Sequence, residues 1–127
     1  CPTGAIVEPY VVDARLCISY LPIELRGGRE VIPNELTTQM GNRIFGCDDC
    51  LDVCPFNLRA DATTEPAVAP THSTLAPDLD ALAQISQEDF SSTFKESPLK
   101  RTKLSGLLRN VGIALENHRR QTGSRAS

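Results

Sequence analysis

The chain has 127 residues, enough for one small domain or one and a half. Hydrophobic residues make up 40% of it, aromatic ones only 5%, with no Trp and nine Pro, which allows a modest core and excludes a large enzyme fold with a pocket of its own. The net charge of −3 excludes a uniformly basic nucleic-acid binder. No run approaches the roughly 20 apolar residues of a membrane span, and a basic-then-apolar secretory pattern is missing at the start, so neither a membrane nor an exported protein is expected. The chain opens Cys1-Pro2-Thr3 and its one Met is Met40, so it reads as a fragment of something longer.

The stretch from Ile6 to Val12 is extended by propensity, but Pro9 argues against a central strand. Pro33 and Asn34 begin a short helix with Leu36, Met40 and Ile44 in line. Residues 60–77 are rich in Ala, Thr and Pro without periodicity and read as a linker. Leu75, Leu79, Leu82 and Ile85 then recur at helical spacing, which predicts a short helix around 77–85. Ser86, with Asp89 three residues on, is a second helix start, and Phe90 and Phe94 would share a face of it. Ser97-Pro98 predicts the start of the clearest helix. Along it Leu104, Leu107, Leu108, Val111 and Leu115 form one apolar stripe that should pack on the preceding short helices, with Lys100, Lys103 and Arg109 largely off it, in water. The organisation expected is a first module over 1–59, a linker over 60–77, a helical region with a basic face over 78–120, and a disordered tail over 121–127.

The charge is unevenly spread. Residues 61–94 hold six acidic and no basic side chains, whereas 95–127 hold eight basic against two acidic. A basic tail after an acidic segment suggests a surface for an anionic partner, nucleic acid first; a solvated helix face is the plainer reading.

All five cysteines fall in the first 54 residues, at 1, 17, 47, 50 and 54, and Cys1 and Cys54 each precede Pro. A bacterial ferredoxin run reads C-x2-C-x2-C-x3-C-P, and its fourth Cys serves the other of two clusters. Laid backwards from Cys54-Pro55, that run places Cys50 third, Cys47 second and Ile44 first. Ile44 cannot bind iron, so one thiolate must come from elsewhere, and Cys17 is the free candidate. Cys1-Pro2 matches the end of a first run and by the crossing rule closes the cluster of Cys47 and Cys50. One 4Fe-4S cluster is therefore expected on Cys1, Cys17, Cys47 and Cys50, with Cys54 serving another. Four thiolates must converge on one cubane, and Gly46 before Cys47 allows the tight backbone approach and frees amides for sulfur. A zinc site built of four cysteines is the chief structural alternative. Disulfides would need an oxidising compartment that nothing here signals. His72 and His118 read as surface residues rather than ligands, and Asp48, Asp49 and Asp52 as a solvated edge rather than an acid–base cluster.

With these residues in view, CPTGAI (1–6), YVVDARLCISYL (10–21) and GNRIFGCDDCLDVCPFN (41–57) resemble the epoxyqueuosine reductase family, as do SPLKR (97–101) and LLRNV (107–111). The block from Gly41 to Asn57 is the specific part. The resemblance implies an α+β, mostly helical chain: a ferredoxin-like module for two 4Fe-4S clusters, truncated at its N-terminus, and a small C-terminal helical region. It implies a cobalamin-dependent oxidoreductase that reduces epoxyqueuosine to queuosine in tRNA anticodons, with electrons passing through the clusters to cobalamin. In that family the cobalamin cradle and catalytic acid lie in an N-terminal domain, so no catalytic residue is assigned here and the fragment alone should not turn over. A tRNA-modifying enzyme must grip phosphates, and Lys100, Arg101, Lys103 and Arg109 are the residues expected to do so. A low-potential electron donor, a cytoplasmic location and a monomeric state complete the expectation. The competing functions are the ferredoxin-like module of a related cobalamin/iron–sulfur reductase of the reductive dehalogenase type, a plain ferredoxin-type carrier, or a zinc-bound interaction module. A plain carrier should end soon after its last cluster, and this chain runs 73 residues beyond Cys54.

Overall fold

In the computed structural model, which describes residues 1–69 and 76–123, the first extended stretch folds back on itself. Strands β1 (Ile6–Glu8) and β2 (Val11–Val12) pair antiparallel, Ile6 opposite Val12 and Glu8 opposite Val11, with an irregularity between Ile6 and Glu8. Pro9 therefore sits in the turn, where its fixed φ helps, and Tyr10 after it takes a left-handed φ of 66°. A single helical turn at Ala14–Leu16 leads to Cys17, with the Asp13 carboxylate capping it at the Arg15 amide. Helices α1 (Tyr20–Glu24), α2 (Asn34–Gln39) and α3 (Asp49–Asp52) follow, all short. The rest is mostly helical: α4 (Leu79–Ala83), α5 (Gln87–Thr93) and the long α6 (Lys103–Gly123).

The helix starts follow from the sequence. Asp78 accepts from the amides of Asp80 and Ala81 to begin α4, and Ser86 accepts from the Asp89 amide at 3.0 Å to begin α5. Phe90 and Phe94 do share a face, with ring centroids 5.5 Å apart. Ser97 caps as expected, at the Leu99 amide, but it caps a 3-10 turn, Pro98–Thr102. The chain breaks at Lys103, φ 59°, and the long helix starts afresh there. It also continues through Gly123, so residues 121–123, expected in a disordered tail, are helical. Leu36 and Met40 are buried as one face of α2 and the residue after it. Ile44 does not continue that line, because Gly41 turns the chain at φ 60°. His72, Leu75, Arg125, and the parts of the linker and tail at 70–75 and 124–127 lie outside the described residues.

Helix α6 is the spine of two cores. On one face Leu107 and Val111 pack with Leu82 of α4 and Phe90 and Phe94 of α5, with Ile44 partly buried against them. On another, Ile113 joins Ile18, Leu21, Ile32, Leu36 and Met40 from the cysteine-bearing half. Each such side chain, fully buried, contributes about 1.5–3 kcal/mol from removal of apolar area. One helix thus holds both halves. Among the described residues no helix is long and apolar enough to cross a membrane.

Between its apolar rows α6 buries three polar side chains, and all three reach backbone carbonyls of the cysteine-bearing half. Asn110 donates to the carbonyls of Pro22 (3.0 Å) and Ile44 (2.9 Å). Asn117, two turns on, donates to those of Thr37 (2.8 Å) and Gly41 (2.7 Å). Arg109 donates to Leu25 (2.9 Å), Pro22 (3.0 Å) and, at 3.4 Å, Gly27 and Leu21. Buried loop carbonyls need donors, and here a neighbouring helix supplies them. Arg109, expected in water as part of the basic face, is 8% exposed. Its guanidinium is taken up by four carbonyls, which corrects its assignment as a phosphate contact. Burial and the nearby Arg26 lower its pKa.

Candidate metal centre

Cys1 begins a tight turn. The Gly4 amide points back to the Cys1 carbonyl at 3.4 Å, and Gly4 has φ 65°, open to Gly at little strain. That turn aims the amide of buried Ala5 at the Cys1 sulfur, N to Sγ 3.3 Å. A backbone N–H on a cysteine sulfur stabilises its thiolate form, the form that binds metal. The Thr3 hydroxyl lies 3.6 Å from the same sulfur and donates to the carbonyl of Leu16 at 2.5 Å. The Cys1 loop is thereby tied to the residue before Cys17.

Cys17 ends the Ala14–Leu16 turn, its amide bonded to Ala14 and its carbonyl accepting from Leu21. Two residues on, the Ser19 hydroxyl reaches the third cysteine segment. It accepts from the Cys47 amide at 2.8 Å and donates to the Cys47 carbonyl at 3.1 Å. Gly46 before Cys47 has φ 72°, and a Cβ there would meet open space. The conformation, rather than crowding, is what calls for glycine. Cys47 is partly buried against the Ile18–Met40 core, while Cys50 lies exposed on α3. Cys54 follows α3, its carbonyl accepting from Asn57 and Leu58. All five thiols are free.

Asp49 anchors the Cys47–Cys50 segment through Arg43 at 2.7 Å. The Arg43 guanidinium holds the Asp49 carboxyl below its usual range, and smaller contributions come from the Cys47 side chain and the Cys1 amino group. Asp48 and Asp52 are exposed, as is His118. One hydroxyl, that of Thr3, joins the Cys1 loop to the turn before Cys17, and another, that of Ser19, joins the segment after Cys17 to Cys47. Among the described residues no three His, Cys, Asp or Glu side chains close up as they would around a single ion. A cubane is larger than an ion and holds its four thiolates further apart, and thiolates on separate loops with amide and hydroxyl support are the donor set it takes.

Ile44, standing where a ferredoxin run carries its first Cys, is the point at which the second core grips this segment: its side chain packs toward Leu82 and Phe94, and its carbonyl takes the Asn110 amide. Of the basic residues, Lys100, Arg101 and Lys103 are exposed. Arg101 pairs with Glu24 at 2.6 Å, which raises its pKa; among the described residues the two lysines make no such ion pair. Sequence reasoning missed Thr3, Ser19, Asn110 and Asn117. The two Asn had a signal, since polar residues three and ten positions after Leu107 fall within the apolar stripe. Ser19 had none, because its partner lies 28 residues away.

Residues 1–57 match the family described as a 4Fe-4S double cluster binding domain. Over 117 residues the chain is 50% identical to epoxyqueuosine reductase of Escherichia coli, covering 92% of this chain and 30% of that protein. It is 46% identical over the same length to that of Pseudomonas aeruginosa, covering 32% of it. A crystal structure of epoxyqueuosine reductase with an epoxyqueuosine-modified tRNA-Tyr stem loop superposes with a TM-score of 0.83 at 35% identity, over 92% of this chain and 30% of that one. The structure of the Bacillus subtilis epoxyqueuosine reductase does so with a TM-score of 0.85 at 34% identity, over 96% and 32%. The chain spans about a third of the length of the relatives it matches.

Proposed function

We propose that this chain, a relative of the epoxyqueuosine reductases along its length, is the iron–sulfur electron-transfer and tRNA-docking portion of such an enzyme, which reduces epoxyqueuosine to queuosine in tRNA. Cys1, Cys17, Cys47 and Cys50 would hold one 4Fe-4S cluster, and Cys54 would supply a ligand to a second. The observation that carries the reading is the pair of hydroxyl ties, Thr3 to Leu16 and Ser19 to Cys47, which link three cysteine segments far apart in sequence. Bound clusters supply one-electron transfer at low potential, and cobalamin, held mainly outside these residues, is the acceptor the family resemblance implies. The chain's own part is to hold the thiolates, donate the Ala5 amide to Cys1, and keep the loops rigid through α6. Lys100, Lys103 and, beyond its pairing with Glu24, Arg101 would meet tRNA phosphates as point charges. We place the protein in the cytoplasm, as a monomer served by a low-potential electron donor.

The decisive experiment is anaerobic reconstitution of the complete protein with iron and sulfide. It should turn brown and hold about four irons and four sulfides per cluster. Cys17→Ala should lose one cluster's worth of iron and keep the other. Full iron content in that variant would overturn the ligand assignment, and a colourless protein with one zinc would overturn the redox function altogether.

A further inference from the structure

Ser19 occupies the position before α1, where a serine ordinarily turns its hydroxyl to the free amides of the helix start. Here it makes no such contact. The hydroxyl is directed away from its own helix and closes on one distant residue, accepting from the Cys47 amide and donating to the Cys47 carbonyl. Both backbone polar groups of Cys47 are thus satisfied by one side chain. Gly46 before it takes φ 72°, so this hydroxyl fixes a peptide that glycine leaves free to turn. The Thr3 hydroxyl does related work between Cys1 and Cys17.

We infer that Ser19, seconded by Thr3, is a positioning residue for the cluster: its hydroxyl fixes the direction of the Cys47 thiolate relative to Cys17 and withholds the Cys47 amide from the cluster. This deepens the ligand assignment proposed above and rests on it. The physical consequence has a sign. A reduced cluster carries more negative charge than an oxidised one. Removing Ser19 frees the Cys47 N–H to turn toward cluster sulfur and admits water to the loop, and both favour the reduced form. The potential should therefore rise. A serine that merely held the fold together would lower stability without moving the potential.

The test compares Ser19→Ala, Ser19→Thr, Thr3→Val and Cys17→Ala in the complete, anaerobically reconstituted protein. The readouts are iron content, the rate of iron loss to a chelator, and the midpoint potential and EPR spectrum of the reduced cluster. Ser19→Ala should load fully, lose iron about tenfold faster, in line with the roughly 10–100-fold effects of residues behind metal ligands, and titrate at a higher potential with an altered EPR spectrum. Ser19→Thr keeps the hydroxyl and should restore all three. Wild-type release, potential and spectrum in Ser19→Ala would overturn the inference. Where Ser19→Ala does not fold, Thr3→Val decides. This isosteric change breaks only the second tie; faster iron loss with an altered EPR spectrum upholds the inference and wild-type behaviour sinks it. Cys17→Ala separates the two levels: full iron there removes the ligand assignment itself, whereas lost iron there with an unaltered Ser19→Ala removes the positioning role alone.

Discussion

The large hydrophobic side chains left exposed in the described structure all lie before residue 69: on the hairpin (Ile6, Val11, Val12), at Tyr20 of α1, and from α3 onward (Leu51, Phe56, Leu58). From residue 76 to 123 the pattern reverses, and Leu82, Phe90, Phe94, Leu107 and Val111 close into one core. The first half is built of short helical turns and a two-stranded hairpin, and its core of Ile18, Leu21, Ile32, Leu36 and Met40 is completed by Ile113 of α6. Its order comes from outside each element: hydroxyls that join loops, Asn and Arg side chains from α6 that take up loop carbonyls, and the clusters assigned to it, whose binding is coupled to folding. The second half needs only helix periodicity. The region that carries the cysteines is therefore the region that depends on its surroundings, and the sealed region serves as its frame.

That dependence can be broken from the far side. Asn110→Asp replaces a fully buried double donor by an acceptor facing two carbonyls, and should destabilise the protein by about 2–5 kcal/mol, read from denaturant unfolding. Cluster loss should accompany it although residue 110 is no ligand. If iron content holds while stability falls, α6 does not frame the cysteine loops. Arg109→Met should come next, at about 2–3 kcal/mol, since the carbonyls of Leu25 and Pro22 lose a charged donor. Its tRNA affinity in salt titration should keep the wild-type slope.

The contrast with the exposed basic residues sharpens the comparison. Reversing Lys100, Arg101 and Lys103 to Glu in the complete protein should leave stability nearly unchanged, raise KM for tRNA, and flatten the salt dependence by about one unit for each phosphate no longer neutralised. An unchanged KM and slope would make this face ordinary surface. The smallest effect is expected at the hairpin. Tyr10 holds φ 66° with its side chain fully exposed. Tyr10→Gly removes a left-handed strain of about 1–2 kcal/mol and adds back about 0.5–1 kcal/mol of chain entropy. A net gain of up to about 1.5 kcal/mol in unfolding free energy should follow.

Local chemistry was legible from the residues alone. Ser86 and Asp78 cap because their oxygens reach amides two or three residues away, and Phe90 and Phe94 meet because a helix returns about every 3.6 residues. The cysteine spacing likewise carries its own arithmetic, since a ferredoxin run is a local pattern. What the sequence could not state was which elements would face each other. Arg109 looked like one basic residue among several, and only the packing of α6 against the loop from Leu21 to Gly27 turned it inward. Ile44 looked like a missing ligand and is a core contact. Ser19 gave no signal at all and ties down Cys47, 28 residues away. Short-range order is set by bonds and hydrogen bonds that span a few residues; which distant carbonyl or amide a side chain finds is set by burying apolar faces together, and that is decided over the whole chain at once.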